Sequence, residues 1–265
     1  MAKERINFLR VPIDILPEED LYQTIMELSQ KKEFSQICFI SIWDVLKARR
    51  DKEYMECLRN AALVLPISSS IIRGCKFLKL GIPERYNQFK AVISIMNVLD
   101  KNFRSIYLFG GRKGVLMNVE QNVRSTFPGL QIVGRFVGYY PKNYEPNIIQ
   151  AIYKSSPTLL LNSEGIKDGD LWSYRHREDF KTGIFMYYKD CFGIFSKRKR
   201  HISDRTFAKG TEMGQEIVSN PFKIFLLFPY WWYLTVLVFY KLFKKNKSSI
   251  DENTANDEVS NSDLK

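Results

Sequence analysis

The sequence predicts an α/β fold: a Rossmann-like, mostly parallel sheet with helices on both faces, plus a helical C-terminal appendage. Two observations carry that prediction. Short apolar runs suited to buried strands alternate with stretches of helical period from Ile37 to Tyr188, and such alternation implies a parallel sheet covered on both sides. At the centre of the chain, Arg104–Tyr140 reads as one strand–glycine turn–helix–strand unit. The 265 residues, 45% apolar and 14% aromatic, can bury one good core and carry an appendage.

In chain order, residues 6–16 alternate loosely, which predicts an edge strand. Pro17-Glu18-Glu19-Asp20 is a helix start with acids in its first turn, continued on one face by Leu21, Ile25 and Leu28. Ile37–Ile42 reads as a strand. Trp43–Ala62 reads as one helix, with Val45, Leu46, Tyr54, Met55 and Leu58 toward the core and Lys47, Arg49, Arg50, Asp51 and Lys52 outside. Leu63–Pro66 is a short buried strand, and Ser68–Ser70 supply caps for the helix of Ile71, Ile72, Phe77 and Leu78. Gly81-Ile82-Pro83 breaks that helix, and Ala91–Leu99 forms the next. After the central unit come a helix at Pro146–Tyr153, a strand at Thr158–Leu161, a polar turn at Asn162–Gly169, a helix at Leu171–Phe180 and a strand at Gly183–Tyr188.

Within the central unit, Ile106–Phe109 is short and apolar enough for a buried strand. Gly110-Gly111-Arg112-Lys113-Gly114 follows, then a helical stripe of Val115, Val119, Asn122 and Val123, stopped by Phe127-Pro128-Gly129. Ile132-Val133 leads on to Gly138-Tyr139-Tyr140. Without Cβ atoms, Gly110 and Gly111 let backbone approach a ligand. The helix behind them favours an anion at its first N–H groups by roughly 0.3–1 kcal/mol. Arg112 and Lys113 add positive charge there, so a nucleotide diphosphate suits the turn. The competing reading is a tight βα turn that binds nothing, because Gly-Gly-x-x-Gly is weaker than a full dinucleotide fingerprint. Ligands of parallel sheets bind beyond the strand carboxyl ends. Here those are Ser41–Trp43, Ile67–Ser69, Gly110–Gly111, Gly138–Tyr139 and Asn162–Glu164.

The formal net charge of +11 calls for an anionic partner. The charge is strongest from Ser196 to Lys247, beginning with Lys197-Arg198-Lys199-Arg200, and it borders an apolar stretch, which suits lipid better than nucleic acid. Phe207–Val218 reads as a helix, and Pro221 starts another. Ile224–Tyr240 carries no charge. Its residues Tyr230, Trp231, Trp232, Tyr233 and Tyr240 are types that favour the headgroup boundary. Lys241, Lys244, Lys245 and Lys247 close it, each worth about 1 kcal/mol near an anionic surface. This predicts a membrane-binding appendage, peripheral or monotopic through residues 224–247, against the alternatives of a helix buried in the core or in a dimer interface and of a transmembrane span. Four segments result: 1–195 as the Rossmann-like domain, 196–223 as a basic helical appendage, 224–247 as the aromatic membrane-associated helix and 248–265 as a disordered acidic tail.

The cysteines Cys38, Cys57, Cys75 and Cys191 form no C-x-x-C pair, and His176 and His201 are the two histidines. No metal site at standard spacing can be assembled from them. The cysteines read as apolar fillers in a reducing compartment. The first residues show no signal-peptide pattern, so the cytoplasmic face of the cell membrane is the expected location.

With these elements in order, the chain resembles the WecG/TagA/CpsF family of glycosyltransferases. The strongest carriers are Tyr107-Leu108-Phe109-Gly110-Gly111-Arg112-Lys113-Gly114, Phe127-Pro128-Gly129-Leu130-Gln131-Ile132-Val133-Gly134 and Gly138-Tyr139-Tyr140. Weaker ones are Ala61–Pro66, Gly81-Ile82-Pro83-Glu84-Arg85 and Asn220-Pro221-Phe222-Lys223. The resemblance implies transfer of an N-acetylhexosamine-type sugar, with inversion, from a UDP-sugar to a polyprenyl- or other lipid-linked acceptor, in cell-envelope polysaccharide or glycolipid synthesis. It implies no metal and no other cofactor. Gly110, Gly111, Gly114 and Arg85 would then hold the UDP phosphates, Tyr139 would lie near the base or sugar, and Lys197, Arg198 and Arg200 would meet the acceptor's pyrophosphate. The oligomeric state stays open, a homo-oligomer included.

The sequence also departs from the family pattern. The aspartate proposed there as general base falls at Ile67, which accepts no proton. The family's threonine and asparagine after the preceding strand fall at Phe39 and Ser41. Its Gly-Ser-Pro-Lys-Gln-Glu turn falls at Gly165–Asp170, keeping only Gly165 and the acid Asp170, and its Phe-Asp pair falls at Phe192-Gly193. Its appendage arginines fall at Glu216, Lys223 and Leu226. Asp168, Asp170 and Asp190 lie near strand ends as weak substitute bases. The alternative function is therefore a catalytically inactive member that binds sugar nucleotide or acts as a scaffold at the membrane.

Overall fold

The computed structural model describes residues 4–201, 203–210 and 227–243. The chain opens with an antiparallel hairpin, β1 (Glu4–Phe8) and β2 (Val11–Ile15), where a single edge strand was expected. Leu9 and Arg10 make its two-residue turn at φ 52° and 75°. Such turns normally announce themselves by Asn-Gly or Asp-Gly, and this one does not. The hairpin forms a two-stranded sheet of its own.

Six strands then run parallel: β3 (Phe34–Ile40), β4 (Leu63–Pro66), β5 (Ser105–Phe109), β6 (Gln131–Phe136), β7 (Leu159–Asn162) and β8 (Gly183–Tyr187), in the order β4-β3-β8-β7-β5-β6. Every residue of β4 and β7 is buried, as a strand covered on both faces requires. Successive side chains alternate between those faces. Ile37 and Phe39 enter a core built with α1 (Leu21–Gln30), α5 (Gln88–Lys101), α6 (Lys113–Thr126) and α9 (Cys191–Phe195). Cys38 and Ile40 enter the opposite core with α2 (Ile42–Ala48), α3 (Lys52–Asn60), α4 (Ser69–Leu78) and the hairpin. On that second face, α7 (Glu145–Ser155) and α8 (Gly169–Arg175) cover the other half of the sheet.

The expected helix over Trp43–Ala62 is broken in two. Asp51 leaves the helical region and its carboxylate accepts the Tyr54 N–H at 3.0 Å, capping α3. The helix expected to run to Phe180 ends at Arg175, because His176 takes a non-helical conformation. α10 (Asp204–Lys209) starts earlier than expected and stops at Gly210, whose φ of 64° caps it. The expected remainder of that helix, the helix start at Pro221 and the acidic tail lie outside the described residues.

The last described helix, α11 (Leu227–Phe243), docks along one stripe. Tyr233, Val236, Leu237 and Tyr240 pack on the hairpin and α4, with the i, i+3, i+4, i+7 spacing of one helix face. The Tyr233 hydroxyl donates to Ser70 O at 2.8 Å, and Arg49 donates to the Tyr240 hydroxyl at 3.2 Å. The other face exposes Phe228, Trp231, Trp232, Val238, Phe239, Leu242 and Phe243. Among the described residues, no helix is long and apolar enough to cross a membrane.

One ion pair with a buried carboxylate ties the hairpin to the sheet. Arg5 Nε and Nη2 donate to Asp14 at 2.7 and 3.0 Å, while the Val64 N–H of edge strand β4 donates to the same carboxylate at 2.6 Å. Arg5 also donates to Ala61 O at 2.8 Å, beyond the end of α3. Asp14→Ala takes the carboxylate from a partly buried guanidinium and leaves the buried Val64 amide without its acceptor. We predict a loss of about 3–5 kcal/mol, read as a lowered urea midpoint; an unchanged midpoint contradicts this role.

Candidate active site at the carboxyl edge of the sheet

All six strands end along one edge, where their loops meet. Three of these loops touch backbone to backbone. The Gly110 N–H donates to Phe136 O at 2.9 Å, Gly111 N–H to Glu164 O at 2.7 Å and Gly138 N–H to Gly111 O at 2.9 Å. A Cβ on Gly138 would lie 2.3 Å from Glu164 O, and one on Gly110 2.9 Å from Ser163. The amides of Gly110 and Gly111 are thus consumed within the fold, and these glycines serve loop packing first.

The groups that face outward belong to α6. Its N-cap, Arg112, makes no side-chain capping bond, so the N–H groups of the first turn, at Lys113, Gly114 and Val115, carry the positive end of the helix dipole. Gly114 is exposed, and a Cβ there would meet nothing within 4 Å. Arg112 and Lys113 flank this open end. The Arg112 guanidinium lies 5.4 Å over the ring of Tyr139, which is exposed. Gly165 packs against that same ring, and its placement depends on having no side chain.

Gly165 also lines a cleft of about 460 Å³ whose walls include Asp44, Lys47, Tyr54, Asp168, Asp170 and Tyr187. Asp170 Oδ1 is buried without a hydrogen-bond partner among the described residues. Burial first, then the neighbouring Asp44 carboxylate, push the Asp170 carboxyl up to about 8; Lys47, Gln36 and Cys38 pull the other way. Asp44 is held in place by the Ser41 N–H at 2.8 Å and the Ser41 hydroxyl at 2.6 Å. The Tyr54 hydroxyl contacts Asp44 at 3.4 Å, and burial followed by Asp44 raises it far above its ordinary range.

The structure sorts the three carboxylates proposed from sequence. Asp168 accepts Lys47 Nζ at 2.8 Å, and that hydrogen bond holds it below its ordinary value. Asp190 is paired with Lys199, whose ammonium is raised by the contact. Asp170 alone of the three combines raised basicity with an unpartnered oxygen in a cleft.

The remaining sequence-predicted residues lie elsewhere along the edge. Arg85 Nε donates to Ile67 O at 3.0 Å and its Nη1 to Phe207 O at 2.6 Å, with the guanidinium 3.9 Å over the Phe207 ring. Burial, then Arg73, lower its pKa. It clamps α10 onto the end of β4. Ile67 packs against the core of α1, α5 and α6, while Asp170 shares the opposite face with Cys38 and Cys57. Ile67 and Asp170 are therefore not alternatives at one spot. Lys197, Arg198 and Arg200 are exposed beyond α9. The basic residue that reaches the loops is Lys199, lying over Gly193 and 3.8 Å from Glu164. Sequence reasoning missed Asp44 and Lys47, placing Lys47 on an outer helix face; the Ser41-x-x-Asp44 capping box was the available signal.

The profile described as the glycosyl transferase WecG/TagA/CpsF family matches residues 6–248. The chain belongs to the WecG/TagA/CpsF family. Two curated relatives carry the name N-acetylglucosaminyldiphosphoundecaprenol N-acetyl-beta-D-mannosaminyltransferase. That from Bacillus subtilis is 18% identical over 176 residues, covering 66% of this chain and 68% of the relative. That from Bacillus spizizenii is 19% identical over 175 residues, covering 66% and 67%. Gly165 and Asp170, the two residues that the sequence resemblance matched to the family's turn, both line the cleft.

Burial of Asp170 has a stability signature. Its folded pKa, about 8, lies above the ordinary carboxyl value of 3.8, so its contribution is full below about pH 4 and is lost as pH rises toward 8. Asp170→Asn removes that titration. The variant's melting temperature is expected to gain on the parent progressively between about pH 4 and 8 and then run parallel; a constant offset at all pH values contradicts a buried carboxyl there.

Proposed function

We propose that this chain is a glycosyltransferase moving an N-acetylhexosamine-type sugar from a UDP-sugar to a lipid-linked acceptor in cell-envelope polysaccharide or glycolipid synthesis. The observation that carries the reading is a juxtaposition. The open, cation-flanked end of α6 and the cleft of Asp170 adjoin the same pair of packed loops, those of Tyr139 and Gly165. The relatives' names supply the same chemistry: an N-acetylmannosaminyl group and an N-acetylglucosaminyl-diphospho-undecaprenol.

In this reading the donor diphosphate sits on the first N–H groups of α6, with Arg112 and Lys113 beside it. Charge builds on that diphosphate as the glycosidic bond breaks, so dipole and cations act most strongly as the bond breaks. Tyr139 flanks the base or sugar. The ionised Asp170 carboxylate takes the proton of the acceptor hydroxyl, the hydroxyl oxygen bonds to the anomeric carbon, and UDP leaves with the electron pair. Because Asp170 is protonated over much of the neutral range, the rate climbs with pH until about 8. The exposed aromatic face of α11 supports peripheral or monotopic contact with the cytoplasmic face of the membrane, where the acceptor resides. Cationic side chains of the appendage suit its anionic lipid surface.

Ile67 favours a second reading, a family member that binds sugar nucleotide or serves as a scaffold without transfer. The two separate in a transfer assay with a UDP-N-acetylhexosamine panel and a diphospholipid acceptor. The transferase reading predicts turnover in the parent and a loss of about 10²–10⁴-fold in Asp170→Asn with UDP affinity unchanged. UDP binding with no transfer by the parent establishes the second reading. Higher turnover in Ile67→Asp moves the base to the β4 end and removes Asp170 from that role.

A further inference from the structure

Beside the cleft runs a second cavity, of about 410 Å³, lined by Trp43, Leu46, Lys47, Arg50, Asp51 and Pro229. Lys47 lines both. The walls of the second cavity are almost wholly apolar atoms, although it lies at the surface and carries two cations. The Asp51 carboxylate is spent on the α3 cap. Its lining from α11 is Pro229, in the first described turn of that helix, next to the exposed Phe228, Trp231 and Trp232. An apolar trough that carries two cations and adjoins an exposed aromatic face fits an amphiphile with an anionic head.

We propose that the groove between α2 and α11 receives the first isoprenoid units of a lipid diphosphate, with the diphosphate against Lys47 and Arg50 and the chain passing Trp43, Leu46 and Pro229 toward the aromatic face. The order of groups matches that of a sugar-diphosphate-lipid. Its sugar hydroxyl falls in the cleft of Asp170, its diphosphate at the shared lysine, its chain in the trough. Lys47 already pairs with Asp168, but an ammonium carries three donors, so a phosphate oxygen can join that pair. The inference rests on the transferase reading in taking the acceptor to be a diphospholipid; the groove itself does not depend on turnover.

The test uses the full chain and a farnesyl diphosphate carrying a benzophenone at its tail end, photolysed and mapped by mass spectrometry. The expected result is labelling of the segments 42–51 and 228–232, displaced by unlabelled farnesyl diphosphate and not by an equal excess of phosphatidylglycerol. Arg50→Glu, at an exposed position, is expected to reduce labelling roughly tenfold or more while leaving the melting temperature unchanged. Labelling elsewhere, or displacement by phosphatidylglycerol, overturns the proposal. Groove labelling by a chain that neither binds UDP nor transfers sugar keeps the lipid site and removes the transferase. Sugar transfer without groove labelling does the reverse.

Discussion

The carboxyl edge depends on three loops that approach one another closer than side chains permit. Gly110, Gly138 and Gly165 bring their backbones together, and a Cβ on Gly138 would sit 2.3 Å from Glu164 O. Because these loops follow β5, β6 and β7, their contact draws the start of α6 and the loop before α8 to one place. The same packing uses up the amides of Gly110 and Gly111. The N–H groups left open are those of the next turn, where Gly114 is exposed and α6 lacks a side-chain cap. A motif that looks like a phosphate cradle thus works in two steps: glycines assemble the edge, and the helix end presents the charge.

Electrostatics then separates carboxylates that look alike in sequence. Asp168, Asp170 and Asp190 lie within one stretch, but lysines engage the first and last, whereas Asp170 is buried beside Asp44. A cation partner lowers the basicity of a carboxylate; burial next to a like charge raises it. The contrast follows from which strand each loop abuts, so it is a tertiary property.

Local chemistry made much of the fold legible. Parallel strands buried on both faces read as apolar runs, which is why Leu63–Pro66 and Ile106–Phe109 stand out, and Ser68 caps its helix as the serine run suggested. The misses have local causes as well. Leu9 and Arg10 turn the hairpin without glycine, and Asp51 breaks a helix whose apolar period continues through the break. Within the site, the glycine turn was visible because Gly-Gly-x-x-Gly directly follows an apolar strand, and Asp170 because it lies near a strand end. Asp44 and Lys47 were not, because a capping acid and an exposed lysine are common on any helix. Only the fold brings them under the loop of Asp170. The aromatic stretch at the C-terminus was legible as a helix, but the stripe of Tyr233 and Tyr240 that fixes its docked face requires the hairpin and α4 as partners.

The central claim is that the open end of α6 holds the donor diphosphate, and calorimetric titration with UDP of the parent and of Gly114→Glu tests it most directly. A glutamate in the first turn of a helix suits the dipole and meets nothing at this position, so the variant folds at least as stably as the parent while opposing an anion. The account predicts UDP binding by the parent and its loss in the variant at an unchanged or higher melting temperature. Equal UDP affinity in both, or no binding by the folded parent, contradicts it.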